Sequence, residues 1–302
     1  MLSIFDAGAF DLTEEAPAKI NLALHVTGLR GDGYHLLDML VTFTDHGDRL
    51  GFRSADADGF EISGRFATSL GPQEQPTSNL VIRARDLLRQ ASGGSAPPVM
   101  IHLEKSLPIA SGIGGGSADA AAALRGLMRL WNITLTPDKL KALALQLGAD
   151  VPMCLTSRPL IARGIGEEID VLPDFPSFGL LIGNPLVGVS TPAVFRQLRE
   201  KNNPPFGFEH RQLKSSHEWL SVIDSLRNDL EPPARALCPE IGELSVLMAG
   251  QRPRLVRMSG SGASCFALFD DLDAAKAAAA SLHSHRPDWY FQATQTTAGD
   301  LR

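Results

Sequence analysis

Apolar and polar residues alternate along residues 18–26. Ile20, Leu22, Leu24 and Val26 fall on one side, and Lys19, Asn21, Ala23 and His25 on the other. A period of two predicts a strand with one apolar face, so Lys19 and Asn21 point the same way. Residues 28–34, GLRGDGY, predict a turn rich in glycine and aspartate. Two more strands are predicted at 37–43 and 48–52. Another falls at 98–105, with Val99, Ile101 and Leu103 on one face. The period then shifts to that of a helix. Ser78 is the expected cap of a helix whose apolar face is Leu80, Ala84, Leu87 and Leu88. Residues 117–131 place Ala121, Leu124, Leu127, Met128 and Trp131 on one stripe. Thr136 as N-cap and Pro137 at the first helical position start a helix with a stripe of Leu140, Leu143 and Leu147, ended by Gly148. Further on, strands are predicted at 178–183, 254–258 and 264–269, and helices at 191–200, 216–226, 239–249 and 272–284.

Composition narrows the class. At 302 residues and about 150 residues per domain, two domains are expected, or one large one. Gly164, Gly166, Pro173 and Pro176 mark a weak boundary, which gives domains at 1–165 and 166–302. The formal net charge of -6 argues against a surface that grips nucleic acid through many phosphates, but leaves room for a small phosphorylated ligand. Cys154, Cys238 and Cys265 lie far apart with no metal-ligand spacing, and read as reduced, buried thiols. The first residues lack a basic secretory n-region, and no apolar stretch approaches the roughly 18 residues of a membrane span. A cytoplasmic protein without membrane or nucleic-acid partners is expected.

The stretch from Lys105 to Asp119, KSLPIASGIGGGSAD, carries the chemistry. It follows a predicted strand and runs straight into a predicted helix. Its glycines let the backbone approach a ligand closely. The first N–H groups of the helix have no intrahelical partner and sit at the positive end of its dipole, so the segment reads as a phosphate site. Ser117 could cap the helix or offer its hydroxyl to a phosphate or a metal ion. A dinucleotide-binding GxGxxG is excluded because Ser117 stands where the last glycine would be, and a Walker A loop because no Gly-Lys-Ser/Thr occurs and no lysine lies within the glycine loop itself. A plain strand–helix turn without ligand remains the bland reading. A second glycine stretch, residues 258–263, either lines the same site or is only a flexible turn. It is not a nucleophile elbow, because residue 259 is Ser rather than Gly. Asp150, in GADVP, falls just past a predicted helix end, where the dipole is negative and a carboxylate is misplaced. Either that misfit marks a functional acid, or Asp150 only stabilises a turn. His25 and His102 read as structural, and Trp131 and Trp219 as core.

Four segments together resemble the GHMP kinase superfamily: residues 17–22 (PAKINL), 107–117, 147–152 (LGADVP) and 259–263 (SGSGA). Residues 27–35 (TGLRGDGYH), 78–80 (SNL) and 190–195 (STPAVF) point to its members that act on a cytidine diphosphate sugar alcohol in non-mevalonate isoprenoid biosynthesis. The resemblance implies an α+β, two-domain fold. The N-terminal half would be like domain 2 of ribosomal protein S5 and would bind ATP; the C-terminal half would be ferredoxin-like and would bind the substrate. By the same resemblance Asp150 is the general base and Lys19 its electrostatic partner. Asn21 and Thr191 contact the substrate, Tyr34 and Phe195 sandwich the cytosine, and His35 hydrogen-bonds its edge. The nucleotide falls to Asn79, Lys105, Pro108, Ser111, Gly112, Gly114, Gly115, Gly116 and Ser117. ATP is the implied co-substrate with Mg2+, for which no protein ligand is identified, and a monomer or weak homodimer is expected. The rival readings are another small-molecule kinase of the superfamily, of homoserine or mevalonate type, and a non-catalytic S5-like RNA-binding protein.

Overall fold

The computed structural model of the chain describes Phe5 and Leu213 together with residues 8–69, 79–208 and 215–299, apart from chain ends and short gaps. The described residues form two compact units. The first gathers residues up to 18, 47–109 and 114–156; the second gathers 19–46, 110–113 and 157 onward. Residues 19–46 and 110–113, which a single cut near 165 assigns to the N-terminal half, thus cluster with the second unit.

Two long strands supply both units: β1 (Leu12–Leu29) and β2 (His35–Ser54). The two strands predicted at 37–43 and 48–52 are one continuous strand, because the polar stretch between them keeps extended backbone. In the first unit, β3 (Gly59–Ser63) runs parallel to β4 (Val99–Glu104), which pairs antiparallel with the last third of β2. Leu50 faces Leu103 and Phe52 faces Ile101 across that ladder. Four helices complete the unit: α1 (Leu80–Ala91), α2 (Gly115–Leu130), α3 (Pro137–Leu147) and the short α4 (Val151–Thr156). Helix α2 is buried nearly all round at alanines 118 and 120–123 and then along Leu124 and Leu127, whereas Met128 and Trp131 of the expected stripe are only half-buried. At Gly126 a side chain would run into the Phe52 ring, so small residues set how closely this helix lies on β2. Helix α1 is capped by Asn79, whose Oδ1 accepts the Val81 N–H at 2.9 Å; Ser78, the expected cap, lies outside the described residues. Thr136 caps α3 as expected, but the buried stripe there is Leu143, Ala144 and Leu147, with Leu140 only half-buried.

In the second unit, His35 to Val41 at the start of β2 carries the ladder of Leu37–Val41 to β5 (Leu160–Gly164), and β5 pairs with β6 (Glu168–Val171). A separate antiparallel sheet has the order β10-β7-β9-β8, from β7 (Gly179–Asn184), β8 (Leu255–Met258), β9 (Cys265–Phe269) and β10 (Tyr290–Gln295). Helices α5 (Thr191–Gln197), α6 (Ser216–Ser225), α7 (Glu231–Leu237) and α8 (Glu240–Ala249) lie between β7 and β8, and α9 (Leu272–His285) lies between β9 and β10. The outer strand, the first, the third and the second thus sit side by side, with helical crossovers after the first and third: the ferredoxin-like arrangement expected of this half. Helices α8 and α9 pack on this sheet. Strands β7 and β9 are buried throughout, so they carry near-continuous apolar runs. The three cysteines are free and buried, and no helix among the described residues is long and apolar enough to cross a membrane.

Candidate active site

The first unit holds the start of the predicted phosphate segment's helix. Gly114 is the N-cap of α2 in left-handed conformation, φ +69°, with no side-chain cap. The first helical bond runs from the Ala118 N–H to the Gly114 carbonyl. The N–H groups of Gly115, Gly116 and Ser117 therefore precede the ladder, and no acid in the first turn competes with an anion for them. Gly116 is exposed. Pro108 is buried, and Asn79 is occupied through Oδ1 in capping α1. The Lys105 ammonium is buried and lies 2.5 Å from Asp48 Oδ2 and 2.8 Å from Asp119 Oδ2. Burial works to lower its pKa, but the Asp119 and Asp48 carboxylates outweigh burial and hold it above the usual lysine range. Asp150 is half-buried, and its carbonyl accepts the Cys154 N–H at 3.1 Å as α4 begins. The dipole argument for Asp150 is corrected by this: α4 starts at the next residue, so Asp150 stands at an N-terminal end, where a carboxylate is favoured.

The second unit holds Lys19, Asn21, Ser111 and Gly112. Lys19 is buried, and its N–H donates to the Ile113 carbonyl. The Asn21 N–H donates to Ser259 Oγ at 3.1 Å, and that hydroxyl donates to the Gly112 carbonyl at 3.0 Å. The Ser264 N–H bonds the Ser111 carbonyl. Thus the second glycine stretch is pressed against the first, not a loose turn. A Cβ on Gly112, φ +75°, would stand 2.5 Å from the Ser259 carbonyl oxygen, and one on Gly260 2.6 Å from that of Gly112. The Asn228 amide locks the stretch by donating to the Met258 and Gly260 carbonyls, each at 2.8 Å. Both side-chain amide atoms of Asn21 are buried without a hydrogen-bond partner among the described residues. Leaving a buried amide unpaired costs about 1–3 kcal/mol. A polar ligand group would relieve that cost.

The aromatic residues also belong to the second unit. The 28–34 turn is self-braced: Arg30 pairs with Asp32 at 2.7 Å, Asp32 accepts the Tyr34 N–H, and the Arg30 guanidinium lies over the Tyr34 ring. Tyr34 is 56 % exposed. The His35 and Phe195 rings stack on each other, centroids 4.6 Å apart and 27° from parallel. Burial, helped by Lys201, lowers the His35 pKa, so the ring is neutral at pH 7. Its Nε2 is buried and has no partner among the described residues. Thr191 Oγ1 lies 2.7 Å from Ser261 Oγ. Of the residues read as structural, His25 bonds the Pro204 carbonyl through Nδ1, His102 meets Ser63 Oγ through Nε2, and Trp219 is core. Trp131 is half-buried under the Arg89 guanidinium.

Sequence patterns gave no sign of the buried partners Asp48 and Asn228, and of Asp119 and Ser259 only that they lie in the two glycine stretches. An acid at the start of an apolar strand must find a partner if it is buried, but nothing in the pattern says that the partner is Lys105, 57 residues on. Among the described residues no group of three or more His, Cys, Asp or Glu side chains is arranged to hold a metal ion.

Comparison with known proteins identifies the family. Residues 79–158 match the family model of the GHMP kinases N terminal domain, and residues 208–288 that of the GHMP kinases C terminal. The chain is 63 % identical to 4-diphosphocytidyl-2-C-methyl-D-erythritol kinase of Rhizobium etli, over 98 % of each chain. A crystal structure of 4-(cytidine 5'-diphospho)-2C-methyl-D-erythritol kinase is similar with a TM-score of 0.78 and 34 % identity, covering 95 % of this chain and 100 % of the other. Homoserine kinase from Cytophaga hutchinsonii, at 18 % identity and a TM-score of 0.66 over 95 % and 94 % of the two chains, shares the fold.

Proposed function

We propose that this chain, which belongs to the GHMP kinase family, uses ATP to phosphorylate the C2 hydroxyl of 4-diphosphocytidyl-2-C-methyl-D-erythritol, in the non-mevalonate route of isoprenoid biosynthesis. The observation that carries the substrate is the 63 % identity, over nearly the whole of both chains, to a kinase named for it. The N–H groups of Gly115, Gly116 and Ser117 receive the ATP phosphates at the start of α2, with Gly112 and Ser111 continuing the cradle. Lys105, Pro108 and Asn79 border the nucleotide. Magnesium enters with ATP, as part of the co-substrate, and neutralises phosphate charge. Asp150 takes the proton of the C2 hydroxyl as its oxygen attacks the γ-phosphorus, and the bond to the β-γ bridging oxygen breaks. Lys19 is the electrostatic partner of Asp150 and stabilises charge on the reacting oxygens. An aspartate is a weak base, so positioning and charge supply most of the acceleration. Asn21 and Thr191 hold the alcohol. The cytosine lies between Tyr34 and Phe195, taking the place of the His35 ring on Phe195, while His35 serves the edge of the base. The enzyme acts in the cytoplasm on small molecules only, as a monomer or weak homodimer.

An ATP-consumption assay with the cytidine compound, homoserine and mevalonate as acceptors tests the reading. Turnover is expected with the cytidine compound alone. Turnover of homoserine or mevalonate, or salt-dependent RNA binding without ATP consumption, overturns it. Asp150→Asn should lower kcat by roughly 10²-fold or more while melting like wild type, the scale of a lost acid–base group. A kcat near wild type would remove Asp150 from the role.

A further inference from the structure

Three buried ionisable side chains meet beneath the start of α2, and the phosphoryl transfer proposed above uses only one of them. Asp48 comes from β2, Lys105 from just beyond β4, and Asp119 from the second turn of α2. Their side chains are 0–6 % exposed. Asp48 Oδ1 accepts the N–H groups of Ser106 at 2.6 Å and Leu107 at 2.9 Å, at the start of the glycine segment. Asp48 Oδ2 accepts from Lys105 Nζ, and the same ammonium donates to Asp119 Oδ2 where the segment has become helix. One carboxylate thus grips the beginning of the segment, and one ammonium joins it to the end. The cluster lies directly against the helix start: a Cβ on Gly115 would be 3.4 Å from Lys105 Nζ and 3.6 Å from Asp48 Oδ2. Burying three such groups is costly, and is tolerated only where their geometry and hydrogen bonds are good. A core that needed only stability would do as well with apolar residues of the same volume.

We propose that Asp48 and Asp119 are positioning residues for nucleotide binding, acting through Lys105 to staple the two ends of the glycine segment and fix the spacing of the N–H groups that receive the ATP phosphates. The inference rests on the reading of that segment as the phosphate site. Asp119 serves Lys105 as an acceptor at Oδ2, its Oδ1 has no hydrogen-bond partner among the described residues, and burial pushes its carboxyl up towards the neutral form that asparagine mimics. Asp48 needs both its oxygens and its charge. The two acids therefore differ in what replaces them. Asparagine can stand in for Asp119 by turning its carbonyl to Lys105. At Asp48 it sets an NH2 against either the ammonium or the two backbone N–H groups.

The test uses the full chain as wild type, Asp48→Asn, Asp119→Leu and Asp119→Asn. Mg-ATP and cytidine diphosphate are titrated separately by calorimetry, and ATP KM and kcat are measured with the cytidine substrate saturating. Asp48→Asn and Asp119→Leu are expected to weaken ATP about tenfold or more, the scale of one lost charge-assisted hydrogen bond. Asp119→Asn is expected to stay within about threefold of wild type. Cytidine diphosphate binding should be unchanged in all three and serves as the check of folding. The ATP KM should rise in Asp48→Asn with kcat at saturating ATP held, whereas a merely structural cluster would lower melting temperature and leave ATP affinity alone. Where Asp119→Leu lacks the cytidine diphosphate signal, Asp119→Ala, which adds no bulk to the core, is titrated in its place. ATP affinity kept by Asp48→Asn with cytidine diphosphate binding intact overturns the staple. A wild type that binds no ATP overturns the phosphate reading instead, so the two failures are distinct.

Discussion

Asp58 accepts two hydrogen bonds from Arg89, at 2.6 and 2.8 Å, and one from the Val99 N–H at 3.0 Å. The Arg89 bonds hold its carboxyl at about 2, below the ordinary 3.8, against an opposing push from partial burial. A depressed folded pKa adds stability that is present above the unfolded value and is lost as pH falls through the folded one. With a side chain 28 % exposed, solvent screening trims the shift to about 1–2 kcal/mol of stability at pH 7. Asp58→Asn should lose that amount at pH 7 by chemical denaturation, and the gap to wild type should close between pH 4 and 2. A gap that stays constant with pH would mean the loss comes from shape and not from charge. Such residues are invisible to periodicity, because what makes Asp58 matter is an arginine 31 positions away. Lys19 and Asn21 were legible for the opposite reason: alternation alone puts them on one face of β1. Asp150 was legible as an oddity, but the dipole argument had the wrong sign, since a six-residue helix is too short to show in the sequence.

The glycine segment that leads into α2 shows how differently nearby glycines behave. Gly112 is needed by the fold: its φ is positive, and a Cβ there meets the backbone at Ser259 and Gly262. Gly116 is not, since a Cβ there touches only Leu80 Cδ1 at 3.7 Å. Gly112→Ala should therefore cost about 2–4 kcal/mol of stability, from left-handed strain plus overpacking. Gly116→Ala should gain up to about 1 kcal/mol in helix propensity while weakening ATP. A thermal melt and an ATP titration on both variants separate the two, and a Gly116→Ala protein that binds ATP like wild type would detach phosphate from this helix start. Of the elements, the bounds of α3, α6 and α9 were legible to within a residue because a cap is local, whereas the buried stripes were not, since Leu140 of α3 and Met128 of α2 are only half-buried. Strands β3, β5, β6 and β10 were not foreseen. Each is four to six residues long, and each is made a strand by the neighbour it pairs with, as Leu160–Val41 and Tyr290–Asn184 show.

At the scale of the whole molecule, strands of 18 and 20 residues run from one compact unit into the other, so the units interleave along the chain. No cut in the sequence separates them, and a boundary rich in glycine and proline gave no hint of that. Residues 1–165 expressed alone should show no cooperative unfolding transition by circular dichroism, since residues 19–46 would lack the second unit's partners; a sharp transition in that fragment would show that they are dispensable. Those partners come late in the chain. Asn21 waits for Ser259, 238 residues on, and the Leu22 carbonyl waits for the buried guanidinium of Arg257. At synthesis rates of about 5–20 residues per second, that interval is roughly 12–48 s. The strand that carries Lys19 and Asn21 is thus among the first made and the last completed. Throughout that time the Asn21 N–H and the Leu22 carbonyl lack those partners, so at the ribosome this backbone is an adhesive edge for other nascent chains and a natural station for a chaperone.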